Sequence, residues 1–114
     1  MSELLEILLS IRKEQEKYFK NYLDWAKIIK KETEKLVGKV KMFIFGSILR
    51  KDEVPQDIDV LIISPKFKSC NLRRKVRIKI WRKIGFFAPF EIHLITPSQF
   101  RNWYSHFIKE KIEV

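Results

Sequence analysis

The sequence predicts an α+β fold in which a small mixed sheet of three strands packs with helices. Three short apolar runs, at residues 40–45, 57–64 and 89–95, have the length and composition of buried strands. The stretch 3–36 contains no Gly or Pro and repeats apolar residues at intervals of three and four, which is the period of an amphipathic helix. The order of these patterns, together with the chain length, indicates a single domain over residues 1–114.

The N-terminal helical pattern is longer than a domain of this size is wide, since one straight helix would measure ~50 Å. We therefore expect it either to break near residues 14–16 or to bury part of its apolar face on another chain. Tyr18, Tyr22 and Trp25 lie on that face, and an aromatic stripe at helical spacing indicates core or interface rather than a base-stacking surface. Gly38 follows at the position expected of a C-terminal cap.

Residues 69–84 carry two conflicting patterns. Residues 76–80 alternate as a strand does, whereas apolar residues over the whole segment recur every four positions. The length of the segment and the stop signal at Gly85 favour a helix. A last helix is predicted to begin at Thr96, because Thr96 and Gln99 have the spacing of a capping box.

Two carboxylates mark the start of the second predicted strand. Asp57 and Asp59 are one residue apart, so on a strand their side chains share a face and lie ~7 Å apart along the chain. A third acid, Glu91, opens the third apolar run. With both runs in one sheet, three carboxylates meet at one end of it, and such an oxygen-rich site suits Mg²⁺.

A Gly-Ser pair ends the first predicted strand and supplies the complementary chemistry. Gly46 allows close approach of a ligand, and exposed N–H groups in such a turn bind phosphate oxygens. Ser47 adds a hydroxyl donor, and Arg50 follows within reach of a polyphosphate. Each feature alone is commonest as a turn or a solvated edge. Together they provide hydrogen-bond donors that bind phosphate and carboxylates that bind metal, which are the groups that phosphoryl-type transfer needs.

The Gly-Ser pair, a nine-residue loop, an Asp-x-Asp pair and a later acid together resemble the signature of the minimal nucleotidyltransferases of the DNA polymerase β superfamily. The resemblance covers residues 40–107, and Arg50 falls where many members carry an arginine. The loop is at the short end for that family, and Glu91 stands where Asp is commoner.

The resemblance implies a palm-like nucleotidyltransferase fold. It also implies transfer of a nucleoside monophosphate from a nucleoside triphosphate, with ATP as the first candidate, to an acceptor hydroxyl. Asp57, Asp59 and Glu91 would hold two Mg²⁺ ions, with Glu91 nearest the acceptor. The implied phosphate-binding residues are Gly46, Ser47 and Arg50.

The resemblance further implies a protein partner. Some minimal members of the family are antitoxins that pair with a helical HEPN toxin, and some transfer AMP to that partner. The first helix of this chain is too apolar to be covered fully by a three-stranded sheet, and an exposed face of that kind marks an interaction site. We expect a homodimer, or a heterodimer with a helical HEPN-like protein, through the face that carries Leu4, Leu8, Ile11, Tyr18, Tyr22 and Trp25.

The net charge of +10 is concentrated in one segment, because residues 66–83 hold nine bases and no acid. A solvated basic face and an electrostatic footprint for RNA, DNA, tRNA or an acidic protein are about equally good interpretations. Arg73, Arg74 and Arg77 are the candidate polyanion contacts. The alternative function is therefore a catalytically inactive palm-fold subunit that binds nucleic acid or a partner protein through this segment. Three converging acids have no purpose in such a module and favour catalysis.

The remaining features limit the class of protein. No apolar run approaches the ~20 residues of a membrane helix, and the N-terminus lacks the basic patch of a signal peptide. A single cysteine, Cys70, fits a reducing cytoplasm. The abundance of Lys and Glu is typical of thermophile proteins. His93 shares a face with Glu91 and could contact a substrate or a carboxylate, although a hydrogen-bonded, partly buried structural histidine is the favoured interpretation.

Overall fold

The computed structural model describes residues 2–114 and has three long helices and a four-stranded sheet. The long helices are α1 (Glu3–Lys20), α2 (Tyr22–Val37) and α3 (Cys70–Ile84). The strands are β1 (Lys41–Phe45), β2 (Ile58–Ile63), β3 (Phe90–Ile95) and β4 (Lys111–Glu113). Between β3 and β4 the chain forms α4 (Pro97–Gln99), a π-helical turn (Phe100–Tyr104) and α5 (Ser105–Phe107).

The sheet is mixed, with strand order β3-β2-β1-β4. β1 pairs antiparallel with β2 and with β4, while β2 and β3 are parallel and are joined through α3. The predicted α+β class, the mixed sheet and the antiparallel pairing of the first two strands are confirmed. The sheet has four strands rather than the predicted three, because β4 is too short to give a pattern in the sequence.

The long N-terminal helix breaks at Asn21 and not near residues 14–16. Asn21 leaves helical geometry with φ −119° and ψ 37°, and its backbone N–H still donates to the carbonyl of Lys17. The bend lets Tyr18 and Trp25 pack against each other, with ring centroids 4.7 Å apart. Tyr18 is buried and its hydroxyl donates to the carbonyl of Ile84, so tertiary docking sets the position of the break.

The caps predicted from the sequence at Gly38 and Thr96 are present. Gly38 ends α2 with φ 78°, a conformation that favours glycine. Ser69 caps α3, which confirms the helix at residues 69–84. Thr96 and Gln99 form a reciprocal capping box at the start of α4. The helix that follows is interrupted by the π-helical turn instead of being continuous.

Alternate residues of the strands build two hydrophobic clusters on opposite faces of the sheet. The back face carries Ile58, Val60 and Ile62, which pack with buried residues of α2 and α3. The front face carries Leu61 and Ile63, which pack with residues of β1 and the last helical segment. Within residues 2–114, no helix combines the length and the apolarity needed to cross a membrane.

Candidate active site

The turn after β1 is pressed against a carboxylate of β2. Gly46 has φ 86°, and a Cβ added there would collide with the side chain of Asp59, with 3.1 Å to its Cγ. The close approach follows from the register, in which Phe45 of β1 lies opposite Asp59. Ser47 begins a single 3₁₀ turn directly after the glycine. Only glycine fits here, because the position needs both a positive φ and the absence of a side chain.

The parallel pairing of β2 and β3 brings two acids together. Asp59 lies opposite Glu91, and Leu61 lies opposite His93. Ligand atoms of Asp59, Glu91 and His93 all lie within 4.8 Å of one another. The imidazole Nε2 of His93 is 3.7 Å from Glu91 Oε1 and 3.9 Å from Asp59 Oδ1.

Asp59 perturbs the titration of Glu91. The pKa of Glu91 is raised, first because hydrogen bonding to the Asp59 side chain favours the protonated form. Partial burial and the negative charge of Asp59 act in the same direction, while the nearby His93 opposes them. A carboxylate that disfavours the ionisation of a neighbouring carboxyl, as Asp59 does for Glu91, is an arrangement that a bound cation relieves.

The cluster has the donor set of a divalent metal site. Two carboxylate oxygens and one imidazole nitrogen within 4.8 Å are close enough to contact one ion. Carboxylates suit Mg²⁺ and Mn²⁺, whereas imidazole nitrogen is a more usual ligand of transition metals. The residues therefore fit a divalent cation, with Asp59 and Glu91 as its anionic ligands.

His93 is part of this cluster, although the sequence indicated a structural histidine. Its side chain is 25% exposed and its ring lies between Phe45 and Tyr104, with centroids 5.5 and 5.9 Å away. The aromatic rings hold the imidazole at the edge of the acid pair. The available signal was the two-residue spacing from Glu91, which places both side chains on the front face.

Asp57 lies one residue before β2 rather than within it. It is exposed and lines a cleft of about 310 Å³ together with Ser47 and Asp59. Among residues 2–114, the close group of potential metal ligands does not include Asp57. Asp57 is nevertheless near enough for its charge to contribute to the raised pKa of Glu91. The cleft thus joins Ser47 of the Gly-Ser turn to two of the three acids, Asp57 and Asp59.

The order of these features along the chain matches a known family. The profile of the nucleotidyltransferase domain matches residues 26–113. The chain belongs to this family. The match begins within α2, so α1 precedes the part of this nucleotidyltransferase domain that the family shares.

Solved structures agree with the assignment. A crystal structure of a candidate nucleotidyltransferase is 31% identical with a TM-score of 0.67, over 78% of this chain and 96% of that chain. A second candidate nucleotidyltransferase, from Sulfolobus solfataricus, is 22% identical with a TM-score of 0.54, over 91% of this chain and 85% of that one. The second likeness supports the fold alone. No curated protein matches the sequence.

In this nucleotidyltransferase domain Arg50 does not line the cleft of the acids. Its guanidinium donates to Glu53 Oε1 at 3.1 Å, and both side chains are substantially exposed. Arg50 instead lines a neighbouring cleft of about 440 Å³ together with Gly46, Phe107 and Lys109. The two clefts adjoin at the Gly-Ser turn. Groups that can donate hydrogen bonds to phosphate therefore lie on both sides of this turn.

Two of the three arginines singled out in the basic segment of the nucleotidyltransferase domain have structural partners. Arg73 donates to the carbonyl of Phe67, and Arg77 donates to the carbonyl of Ile92 at 2.6 Å. Burial lowers the pKa of Arg77, with a smaller contribution from the charge of Arg73. Arg74 is exposed. Exchanging all three for Glu would therefore disturb packing as well as surface charge.

Proposed function

We propose that this domain transfers a nucleoside monophosphate from a nucleoside triphosphate, ATP first among them, to an acceptor hydroxyl. The observation that carries the proposal is the pairing of Asp59 with Glu91 beside the turn at Gly46 and Ser47. Acids that can bind metal and hydrogen-bond donors that can bind phosphate thus adjoin one cleft, as phosphoryl transfer requires.

The reaction exchanges one phosphate ester for another. The acceptor oxygen forms a bond to the α-phosphorus of the triphosphate, the bond from that phosphorus to its bridging oxygen breaks, and pyrophosphate leaves. The backbone N–H groups of the Gly46 turn and the hydroxyl of Ser47 bind the terminal phosphates. Arg50 is released from Glu53 to approach them. A carboxylate oxygen of Glu91 accepts the proton of the acceptor hydroxyl.

Two Mg²⁺ ions are the proposed cofactor, with Asp59 and Glu91 as ligands of one and Asp57 completing the set for the second. Divalent ions in such a pair stabilise the charge on the attacking and leaving oxygens. His93, with its Nε2 3.7 Å from Glu91 and 3.9 Å from Asp59, would be a further ligand of the first ion. Its nitrogen also gives a way to identify the ion, because imidazole binds Mn²⁺ more readily than Mg²⁺.

The acceptor is proposed to be a hydroxyl on a partner macromolecule, with a helical HEPN-like protein as the candidate. The support is that the acids lie at the surface of the domain, with Asp57 and Glu91 both exposed. Such a shallow site leaves room for a large acceptor to provide the missing wall, and positioning of the acceptor is a main part of catalysis.

The test is incubation with each nucleoside triphosphate labelled at the α-phosphate, with Mg²⁺ or Mn²⁺, alone and with a HEPN-like protein. Asp59→Asn and Glu91→Gln serve as controls. The proposal requires pyrophosphate release and covalent label on an acceptor that both substitutions abolish. Absence of transfer with every nucleotide, metal and partner would leave the alternative, a binding subunit that acts through residues 66–83.

A further inference from the structure

The larger of the two clefts at the Gly-Ser turn differs in character from the cleft that contains Asp59. Its volume of about 440 Å³ lies within the ~300–1,000 Å³ of typical ligand pockets. Phe45 and Gly46 line one side, and residues 107–110 line the other. The charged side chains of its lining are Arg50, Lys109 and Glu110. The cleft of Asp59 is lined mostly by polar side chains, whereas this one, here named the aromatic cleft, carries the rings of Phe45 and Phe107.

Phe107 is held in place by its neighbours although it is 55% exposed. Its ring centroid lies 5.4 Å from that of Tyr104 and 6.1 Å from that of Trp103. The next residue, Ile108, is buried in the front-face cluster, and its backbone N–H donates to the carbonyl of Tyr104 at 2.9 Å. A flat ligand that stacks on Phe107 therefore has little ordering entropy of the protein to overcome.

The aromatic cleft is continuous with the candidate active site. Gly46 lines the cleft, and the same glycine is packed against the side chain of Asp59. Phe45 also lines the cleft, and its ring centroid is 5.5 Å from that of His93 in the metal-ligand cluster. A triphosphate bound by the N–H groups of the turn consequently has its nucleoside within reach of the aromatic cleft.

We propose that the aromatic cleft binds the nucleoside of the donor triphosphate, with its base stacked on Phe107. The inference rests on the proposed function, which supplies the triphosphate at the Gly-Ser turn. Stacking on an aromatic ring is open to every base, and the strength of stacking sets the preference among bases. A purine offers two fused rings and a pyrimidine one, so the cleft favours ATP and GTP over CTP and UTP.

The test measures binding rather than turnover. The first ligand is an ATP analogue with a methylene group between the α- and β-phosphates, and the second is inorganic tripolyphosphate, which has the phosphates but no nucleoside. Calorimetry in the presence of Mg²⁺ gives the dissociation constant of each. Phe107→Ala should weaken binding of the analogue by about tenfold or more and leave that of tripolyphosphate unchanged. Phe107→Tyr keeps an aromatic ring and should bind the analogue as the wild type does.

The matched control is Phe86→Ala, which truncates a phenylalanine that is 79% exposed and lies outside the lining of the cleft. This variant should bind both ligands as the wild type does. Unchanged binding of tripolyphosphate to Phe107→Ala also shows that this variant is folded and that its Gly-Ser turn is intact. Purine analogues should bind the wild type more tightly than pyrimidine analogues, and the difference should shrink in Phe107→Ala.

The outcomes separate this inference from the proposed function. Binding of the analogue that is unchanged in Phe107→Ala, or that falls together with binding of tripolyphosphate, would overturn the inference and leave the proposed function standing. A Phe107→Ala variant that binds the analogue normally but needs more acceptor for transfer would assign the cleft to the acceptor and overturn the inference as well. Nucleotide binding that depends on Phe107, without transfer to any acceptor, would support the inference and contradict the proposed function.

Discussion

The two faces of β2 are built from alternating residues of one strand and have different roles. On the back face, Ile58, Val60 and Ile62 are fully buried beneath helices. On the front face, Leu61 is equally buried, but the cover stops short of Asp59, whose side chain is 20% exposed. The even positions thus serve stability alone, whereas the odd positions combine buried apolar residues with the acid of the candidate site. A slip of one residue in register would exchange them, so the fold must fix the register firmly.

The largest expected effect comes from removing the negative charge of Asp59 on the front face. Asp59→Asn should lower nucleotidyl transfer by at least about 10³-fold, the scale seen when a charge-stabilising group at a reacting centre is lost. Thermal stability should stay the same or rise, because the substitution relieves repulsion with Glu91. Pyrophosphate release and thermal unfolding measure the two effects. Asp24→Asn, an exposed change on α2, is the control, and retention of full transfer by the Asp59 variant would refute the site.

The reverse outcome is expected on the back face. Ile62→Ala should cost about 3 kcal/mol of unfolding free energy, since it removes a fully buried side chain and leaves a cavity. Transfer per folded molecule should change little at a temperature where the variant is folded. Ile63→Ala, its neighbour on the front face, should cost less, because that side chain is 9% exposed rather than 0%. Denaturant unfolding compares the two, and equal losses would contradict the division between faces.

A smaller effect is expected where the Gly-Ser turn meets Asp59. Gly46→Ala and Gly38→Ala both place a side chain at a positive φ with ψ of −158° and −165°, a backbone region almost exclusive to glycine, so this strain alone should cost each variant about 1–3 kcal/mol of stability. Gly46→Ala adds a collision with Asp59, whereas a Cβ at Gly38 meets nothing within 4 Å. Transfer should therefore fall only in the Gly46 variant. Equal activity of the two variants would show that the contact between the turn and the acid is dispensable.

The smallest expected effect concerns Glu32, an acid of α2, the helix that packs on the back face of the sheet. The pKa of Glu32 lies below its ordinary value of 4.5, chiefly through hydrogen bonding to Lys35, with Lys79 and Lys83 acting the same way against burial. A carboxyl whose folded pKa is lowered stabilises the fold above its unfolded pKa and loses that contribution as pH falls through the folded value. The difference in unfolding free energy between wild type and Glu32→Gln should be constant near neutral pH and shrink below about pH 4.5. A difference that grows on acidification would contradict this assignment.

Periodicity and turn chemistry in the sequence predicted the existence of the long helices, the three main strands and the caps at Gly38 and Thr96. The break at Asn21 could not be predicted in this way, because it depends on Tyr18 reaching a carbonyl of α3, a contact distant in sequence. Three residues of β4 are too few for a recognisable alternation. The π-helical turn likewise depends on tertiary packing, since the ring of Phe100 stacks on that of Phe43 with centroids 6.1 Å apart.

The candidate site likewise has features that the sequence predicted and features that it could not predict. Strand parity places Asp59 and Glu91 on one face, and pairing of their strands brings them together as expected. Asp57 was expected on that strand, but β2 begins one residue later, after the polar loop. The pairing of Arg50 with Glu53 and the position of His93 between two aromatic rings are set by side-chain partners. Spacing along the chain carries no information about such partners.

The parallel pairing of β2 with β3 has a consequence for the order of folding. β1 and β2 are neighbours along the chain and can pair early, whereas parallel pairing of β3 must wait for the crossover through α3. The acids at positions 59 and 91 therefore meet late, and their mutual repulsion opposes only the docking of the final main strand. A cation bound between them should mainly slow unfolding, because it stabilises a contact absent from the folding transition state. Amide hydrogen exchange along β3 would then record the occupancy of the site.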